Sequence, residues 1–248
     1  MMKAITVCVQ YDDLLAATLP GNAKHFDEVL IVTAPNDLAT AELVNRAMGI
    51  RTKIGGLPQL FQTEAFYHNG ADFNKGASLE EAFDVLGRSG WFCLLDADTV
   101  LPPTIDVDGF EVGHFYNPRR RWCDNPRDWD GGYNWSQHRQ VREVDMGGYC
   151  VFFHADDPVL QTKPWYPTDW RHAGGGDTIF NYKWDKEHKH RIETWEVLHL
   201  GPAYTNWFGR TSDRLDGTKP EGHESRAGKI QQMKNYRRSG FGFSKEKL

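Results

Sequence analysis

Between residues 3 and 95 the chain alternates short, continuously apolar runs with stretches whose apolar residues recur at helical spacing. Few folds accept that rhythm. Residues 3–9 (KAITVCV) and 28–33 (EVLIVT) are β-branched and too short for buried helices, so they read as buried strands. Pro20-Gly21 marks a turn and leaves room for a short helix around residues 14–18. After Pro35-Asn36, Asp37 is placed to cap a helix over residues 39–48, which Gly49 stops. Residues 51–54 then supply a short third strand. Asn74-Lys75-Gly76 opens another helical stretch carrying Ala77, Leu79, Ala82, Phe83 and Leu86, and residues 91–95 (WFCLL) are a wholly apolar strand. Strands alternating with helices in this way predict an α/β fold with a mainly parallel sheet covered by helices.

Beyond Pro102-Pro103 the rhythm changes. Residues 109–117 and 146–154 read as strands, 118–134 as a surface loop, 165–177 as an aromatic and glycine-rich loop, 178–184 as a helix and 192–199 as the last strand. No internal repeat or boundary between independent domains is apparent. The expected organisation is one domain over residues 1–225, with halves at about 1–103 and 104–225, followed by a basic tail over 226–248.

Composition narrows the class. With 248 residues, 40% of them apolar and 25% charged, the chain can bury one sizeable core and is not of disordered composition. The net charge of −5, from 29 basic and 34 acidic residues, argues against a dedicated nucleic-acid binder. That figure conceals a net of +6 in residues 226–248, which leaves −11 for the rest. No apolar run approaches the roughly 18–20 residues of a membrane helix, and the N-terminus lacks signal-peptide architecture. Cys8, Cys93, Cys123 and Cys150 lie far apart, as expected of free buried thiols in a reducing cytoplasm.

The residues that could carry chemistry cluster after strands. Asp96-Ala97-Asp98 follows WFCLL, where an open α/β sheet binds its ligands. Two carboxylates two residues apart can share a hard cation such as Mg²⁺ or Mn²⁺ and its hydration shell, or can simply begin a turn. Three glycines, 174 to 176, precede Asp177 and let backbone approach a substrate; Asp177 could equally cap the following helix. His199 ends the last strand and offers an imidazole suited to Mn²⁺, or is a satisfied core histidine. Trp165, Tyr166 and Trp170 are platforms for a sugar ring or members of the core. Arg210, in a flap-like segment over 204–210, has the guanidinium fork that grips phosphate. Arg119-Arg120-Arg121 reads as a solvated or phosphate-facing run. His188 and His190 do not form a metal set by spacing.

Together these elements resemble the GT-A-fold glycosyltransferases, particularly the family-2-like group, over roughly residues 3–210. The resemblance implies a GT-A (Rossmann-like) domain with a nucleotide-binding half, a D-x-D and an acceptor-binding half. It implies that Asp98, with His199, holds a divalent cation (Mn²⁺ or Mg²⁺) on a nucleotide-diphosphate sugar, a UDP-sugar being favoured. Asp96 would face the ribose or a water on the metal. Tyr11 and Asp37 fall where such enzymes meet the nucleoside, although Asp37 serves as well as a helix cap, and Lys75 matches a lysine seen before the helix leading to the D-x-D. Asp177 corresponds to the carboxylate that takes the acceptor's proton in inverting members; here Gly176 replaces the acid often found beside it. Trp165 and Trp170 would lie on the acceptor side. The acceptor is a saccharide or another hydroxyl compound. A hydroxymethylated base in nucleic acid is a further option, since the basic tail and the arginine run could track phosphates. Two other classes compete. A sugar nucleotidyltransferase should carry a glycine- and arginine-rich loop after its first strand, where this chain has VCVQYDDLLAATLP. A non-catalytic carbohydrate-binding protein would leave the acidic residues unexplained.

Overall fold

The computed structural model describes residues 1–47, 49–140, 146–201, 210 and 212–220. The first half runs β1 (Met2–Val7), α1 (Asp12–Asn22), β2 (Glu28–Thr33), α2 (Leu38–Arg46), β3 (Gln59–Gln62), α3 (Lys75–Leu86) and β4 (Trp91–Leu95). The second half runs β5 (Thr99–Val100), β6 (Phe115–Cys123), β7 (Arg139–Gln140), β8 (Cys150–His154), α4 (Gly176–Asn181) and β9 (Lys189–Leu200). These strands form one mixed sheet in the order β3-β2-β1-β4-β8-β6-β9-β5, with β7 paired to β6. Strands β3, β2, β1 and β4 are mutually parallel; β8 runs against β4 and β6, and β9 returns parallel to β6. This is the expected α/β class: a mainly parallel sheet flanked by helices, in a single domain.

The strand pleat sorts the apolar residues into two layers, because successive side chains point to opposite faces. Ile5, Leu30, Val32, Phe92 and Leu94 pack with Leu79, Ala82 and Phe83 of α3. Their neighbours Ala4, Val29, Ile31, Cys93 and Leu95 pack with Leu15 and Leu19 of α1 and Val44 of α2. Lys3 is buried, and its ammonium donates to the carbonyls of Leu86 (2.7 Å) and Gly87 (2.8 Å), capping the C-terminus of α3. All four cysteines are free and buried. No described helix is long and apolar enough to cross a membrane.

Several boundaries differ from expectation for identifiable reasons. Helix α1 does not stop at Pro20 but continues through it to Asn22. Buried Leu14, Leu15, Thr18 and Leu19 anchor it, and the Asn22 amide donates to Thr99 O (2.7 Å) while accepting from Leu101 N (2.9 Å). Residues 51–54 form a turn closed by Thr52 N to Gly56 O (3.0 Å), so the third strand is Gln59–Gln62. Strand β6 begins only at Phe115, because Gly109 and Gly113 adopt positive φ, and it takes in residues 118–123 of the segment expected as a loop, while 124–134 stay outside any strand. Pro118 cannot donate to a ladder; the pairing slips there, from Pro118 opposite Ile192 to Arg119 opposite Glu196. β8 starts later than expected, at Cys150; α4 is shorter; β9 starts earlier, at Lys189. The end of the expected 39–48 helix at Met48, the flap over 204–209 and the tail 226–248 lie outside the described residues.

Candidate active site

Strand β1 has β2 and then β3 on one side but β4 on the other, so the connections leaving β1 and β4 diverge and open a crevice beyond their carboxyl ends. A cleft of about 290 Å³ lies there. Val7 at the end of β1 and Val9 and Tyr11 just after it line the cleft, with Asp96 and Asp98 after β4, and Lys75, Arg120, Trp122, Asp177 and His199 from other elements.

The turn carrying the two aspartates is closed by one backbone hydrogen bond of its own and tied by two more to the residue before β8 and to the end of β9. Asp96 N donates to Tyr149 O (2.9 Å), Thr99 N to Asp96 O (3.1 Å) and Leu200 N to Asp98 O (2.8 Å). The β5–β9 pairing sets Thr99 opposite His199, which delivers the imidazole to the same spot. His199 Nε2 lies 3.5 Å from Asp98 Oδ1, and Asp96, Asp98 and His199 each offer a ligand atom within 4.8 Å of the others. His199 Nδ1 is buried without a hydrogen-bond partner among the described residues. Burial, and then the Asp96 charge, push the Asp98 carboxyl up to about 7. Burial, and then the Arg120 charge, push His199 down to about 3. An acid destabilised as an anion beside an imidazole held neutral is the donor set that a divalent cation would satisfy, so these residues fit such an ion.

Lys75 joins this cluster to the opposite wall. Its Nζ donates to Asp96 Oδ1 at 2.8 Å and stands 3.7 Å from Asp177 Oδ1. Burial alone would depress the ammonium, but the Asp177 and Asp96 charges outweigh it and raise it. Asn74, whose side chain accepts from Ala77 N (2.9 Å), caps α3 and sets Lys75 at its first position. Asp177 sits in the first turn of α4, after Gly175 in the left-handed region (φ 92°). It accepts a hydrogen bond from the Tyr166 hydroxyl, whose pKa burial and the Asp177 charge raise well above the ordinary phenol value. Gly148 lies against this carboxylate, and a Cβ there would overlap it.

Arg120 lines the cleft with its guanidinium between the rings of Trp122 (4.1 Å) and Tyr149 (4.2 Å). Reading 118–134 as a loop hid it. On a strand, alternation separates it from Arg119 and Arg121, which pair with Glu193 and Glu196 and are therefore not a phosphate-facing run.

Other expected residues lie elsewhere. Asp37 is 7% exposed at the start of α2 and accepts from Gln10 N (2.7 Å), Thr33 Oγ1 (3.0 Å), Thr40 N (3.1 Å) and Thr40 Oγ1 (2.7 Å), the pattern of the helix cap. Arg210 is not directed at the cleft: it is 1% exposed, grips both oxygens of Asp13, and donates to the carbonyls of Gln10 (2.9 Å), Ser212 (3.2 Å) and Asp213 (2.9 Å). Its guanidinium lies 4.9 Å from the Tyr11 ring centroid. Trp165 is a core residue. Its indole donates to Leu160 O (2.6 Å) and its ring packs on Phe83 and on Arg88. Trp170 is half-buried, stacks on His172 (6.0 Å, 25°) and borders Gly176, next to Asp177.

No family model matches the chain, and no curated protein matches it in sequence. Among solved structures it is similar to S. aureus TarS 1–349, with a TM-score of 0.55 and 11% identity over 80% of this chain and 60% of that one. The chain thus spans less than two thirds of that structure. Two looser likenesses are to a candidate glucose-1-phosphate thymidylyltransferase from Bacillus anthracis, solved with sucrose, and to the inositol-1-phosphate CTP transferase from T. maritima. The first has a TM-score of 0.43 and 10% identity, over 79% of this chain and 88% of that one. The second has a TM-score of 0.40 and 11% identity, over 94% and 96%. What the comparison with TarS establishes is a shared α/β fold.

Proposed function

We propose that this chain is a metal-dependent glycosyltransferase that moves a sugar from a nucleotide-diphosphate donor, a UDP-sugar being favoured, to an acceptor hydroxyl with inversion. One observation carries the reading: Asp96, Asp98 and His199 converge at the sheet's switch point, and Lys75 links them to Asp177 across the cleft. In this scheme residues 1–103 hold the nucleotide and 104–225 the acceptor, with His199 and Arg120 of the second half reaching the donor diphosphate. Asp98, Asp96 and His199 hold the cation. When bound, it supplies positive charge against the departing diphosphate. Tyr11 meets the nucleoside. Arg120 provides the fixed guanidinium for the diphosphate, since Arg210 is committed to Asp13.

The bond that forms joins the acceptor oxygen to the anomeric carbon, and the bond that breaks joins that carbon to the diphosphate oxygen. Asp177 takes the acceptor's proton. Tyr166, a protonated donor to one Asp177 oxygen, orients the carboxylate and leaves the other oxygen for that proton. Lys75 offsets the concentration of negative charge among Asp96, Asp98 and Asp177.

The test is a calorimetric titration of UDP, then of other nucleoside diphosphates, with and without Mn²⁺. Binding that requires Mn²⁺ and disappears in Asp98→Ala, with an unchanged melting temperature, supports the proposal. Metal-independent sugar binding without a nucleotide would point to a carbohydrate-binding protein. Asp177→Asn should keep nucleotide binding and lose about 10²–10⁴-fold in transfer rate; near-normal turnover would remove Asp177 from the role of base.

A further inference from the structure

At the opposite end of β9 from His199, about 20 Å away as measured by the six residues of β6 that span the interval, a second group of imidazoles comes together. β6 pairs in parallel with β9, with Tyr116 opposite His190. This brings His114, 76 positions distant in sequence, against His190: His114 Nδ1 and His190 Nε2 are 2.7 Å apart. Their ring planes lie within 14° of parallel, with centroids 4.7 Å apart, so the rings meet edge to edge through those nitrogens. His188 packs edge-on against His114, with centroids 5.1 Å apart at 76°, and Tyr116 backs the group with its ring 5.3 Å from His190. Acid ligands stand beside it, since Asp185, Glu187 and His188 each offer a ligand atom within 4.8 Å of the others. The spacing of His188 and His190 alone makes no metal set; strand pairing adds His114, which meets His190 directly.

Two imidazole nitrogens 2.7 Å apart share one proton, one ring donating and the other accepting. Bonds of about 2.0–2.1 Å from a cation put two ligating nitrogens about 2.9 Å apart at the right angle of an octahedral ion and about 3.3 Å apart at the tetrahedral angle of zinc. Exchanging the shared proton for a cation therefore opens the pair by about 0.2–0.6 Å and turns both rings toward the ion. All three histidines are partly exposed, so an ion reaches them from solvent. Imidazole suits Zn²⁺ or Ni²⁺ and is a poor ligand for Mg²⁺. We propose that His114 and His190, with His188 beside them, form a second divalent-cation site, selective for Zn²⁺ or Ni²⁺ over Mg²⁺, that ties the start of β6 to the start of β9.

The experiment titrates Zn²⁺ calorimetrically into the full chain carrying Asp96→Ala, Asp98→Ala and His199→Ala, which removes the cleft ligands. One equivalent of Zn²⁺ is expected to bind and to resist a hundredfold excess of Mg²⁺. Adding His114→Gln and His190→Gln should weaken that binding by at least about tenfold, because losing even a partner one shell outside a metal typically costs 10–100-fold. An affinity changed by less than about threefold overturns the proposal. A second measurement requires no substitution. In the unaltered chain, saturating Zn²⁺ should shift the imidazole ¹⁵N resonances of both His114 and His190. Bound zinc with those resonances unmoved overturns the proposal as well.

Discussion

Asp98 shows most directly how single side chains set the chemistry of the cleft. Burial and the charge of Asp96 raise its carboxyl to about 7, whereas burial and Arg120 lower His199 to about 3. The two proposed ligands therefore respond oppositely to acid. Below pH 7 a proton occupies Asp98 and must leave before a cation binds, while the His199 imidazole stays neutral and available well below pH 6. The sign follows: Mn²⁺ affinity falls as pH falls, through Asp98 and not through His199. The expected dissociation constant is about tenfold weaker at pH 6 than at pH 8, one proton being displaced per ion. Calorimetry or Mn²⁺ resonance titration at the two values reads this directly. His199→Ala should weaken binding at both without flattening the slope, and a flat profile in the unaltered chain would dismiss Asp98 as a ligand.

At the scale of elements, the site depends on backbones that approach closely where side chains are missing. The loop before β8 meets the first turn of α4 at Gly148, whose absent Cβ leaves the space filled by the Asp177 carboxylate. Gly148→Ala must push Asp177 off its hydrogen bond with Tyr166. Because a displacement of about 1 Å at a catalytic group can cost about 100-fold in rate, transfer should fall by roughly that factor while Mn²⁺-dependent nucleoside diphosphate binding is retained. Equal losses in both would mean that the loop shapes the donor site instead. Which elements could be read from the sequence follows the same physical logic. β2 and β4 match their expected limits because each is a short apolar run buried on both faces. β3 (QLFQ) has no such run, since it lies at the sheet edge with Gln59 and Gln62 exposed and Leu60 and Phe61 only half-buried. β6 combines a proline with three arginines and is held by pairing to β9 and by ion pairs, a long-range cause that no local pattern reveals. The acidic pair, Lys75, Asp177 and His199 were legible because they lie at or next to the ends of regular elements. Arg120 was not, because its direction depends on strand alternation that the sequence did not disclose.

The whole molecule closes on itself near the cleft, where the described C-terminal residues return to the start of α1. Asp12 and Asp13 stand in the first turn of α1, where the helix dipole already favours negative charge. Arg214 forks onto Asp12 (2.7 and 2.5 Å), Arg210 forks onto Asp13, and Leu215 N donates to Asp13 Oδ2 (2.7 Å). The two pairs look alike but differ in burial: the side chains of Arg210 and Asp13 are 0% and 12% exposed, those of Arg214 and Asp12 24% and 15%. Burial decides their weight. Removing Asp13 leaves a guanidinium sealed away from water without its counter-charge, which typically costs about 3–5 kcal/mol. Removing Asp12 leaves Arg214 able to reach solvent, a loss of about 1 kcal/mol or less. In chemical denaturation, Asp13→Ala should therefore lose several times the stability that Asp12→Ala loses. The double variant Asp13→Ala with Arg210→Met should recover part of the deficit, because it removes the stranded charge along with its partner. Similar losses in the two single variants, or no recovery in the double, would mean that packing of the segment, and not the buried pair, fastens it to α1. Arg210 also lies over the Tyr11 ring that lines the cleft, so the same variants should weaken nucleoside diphosphate binding in the order of their stability losses.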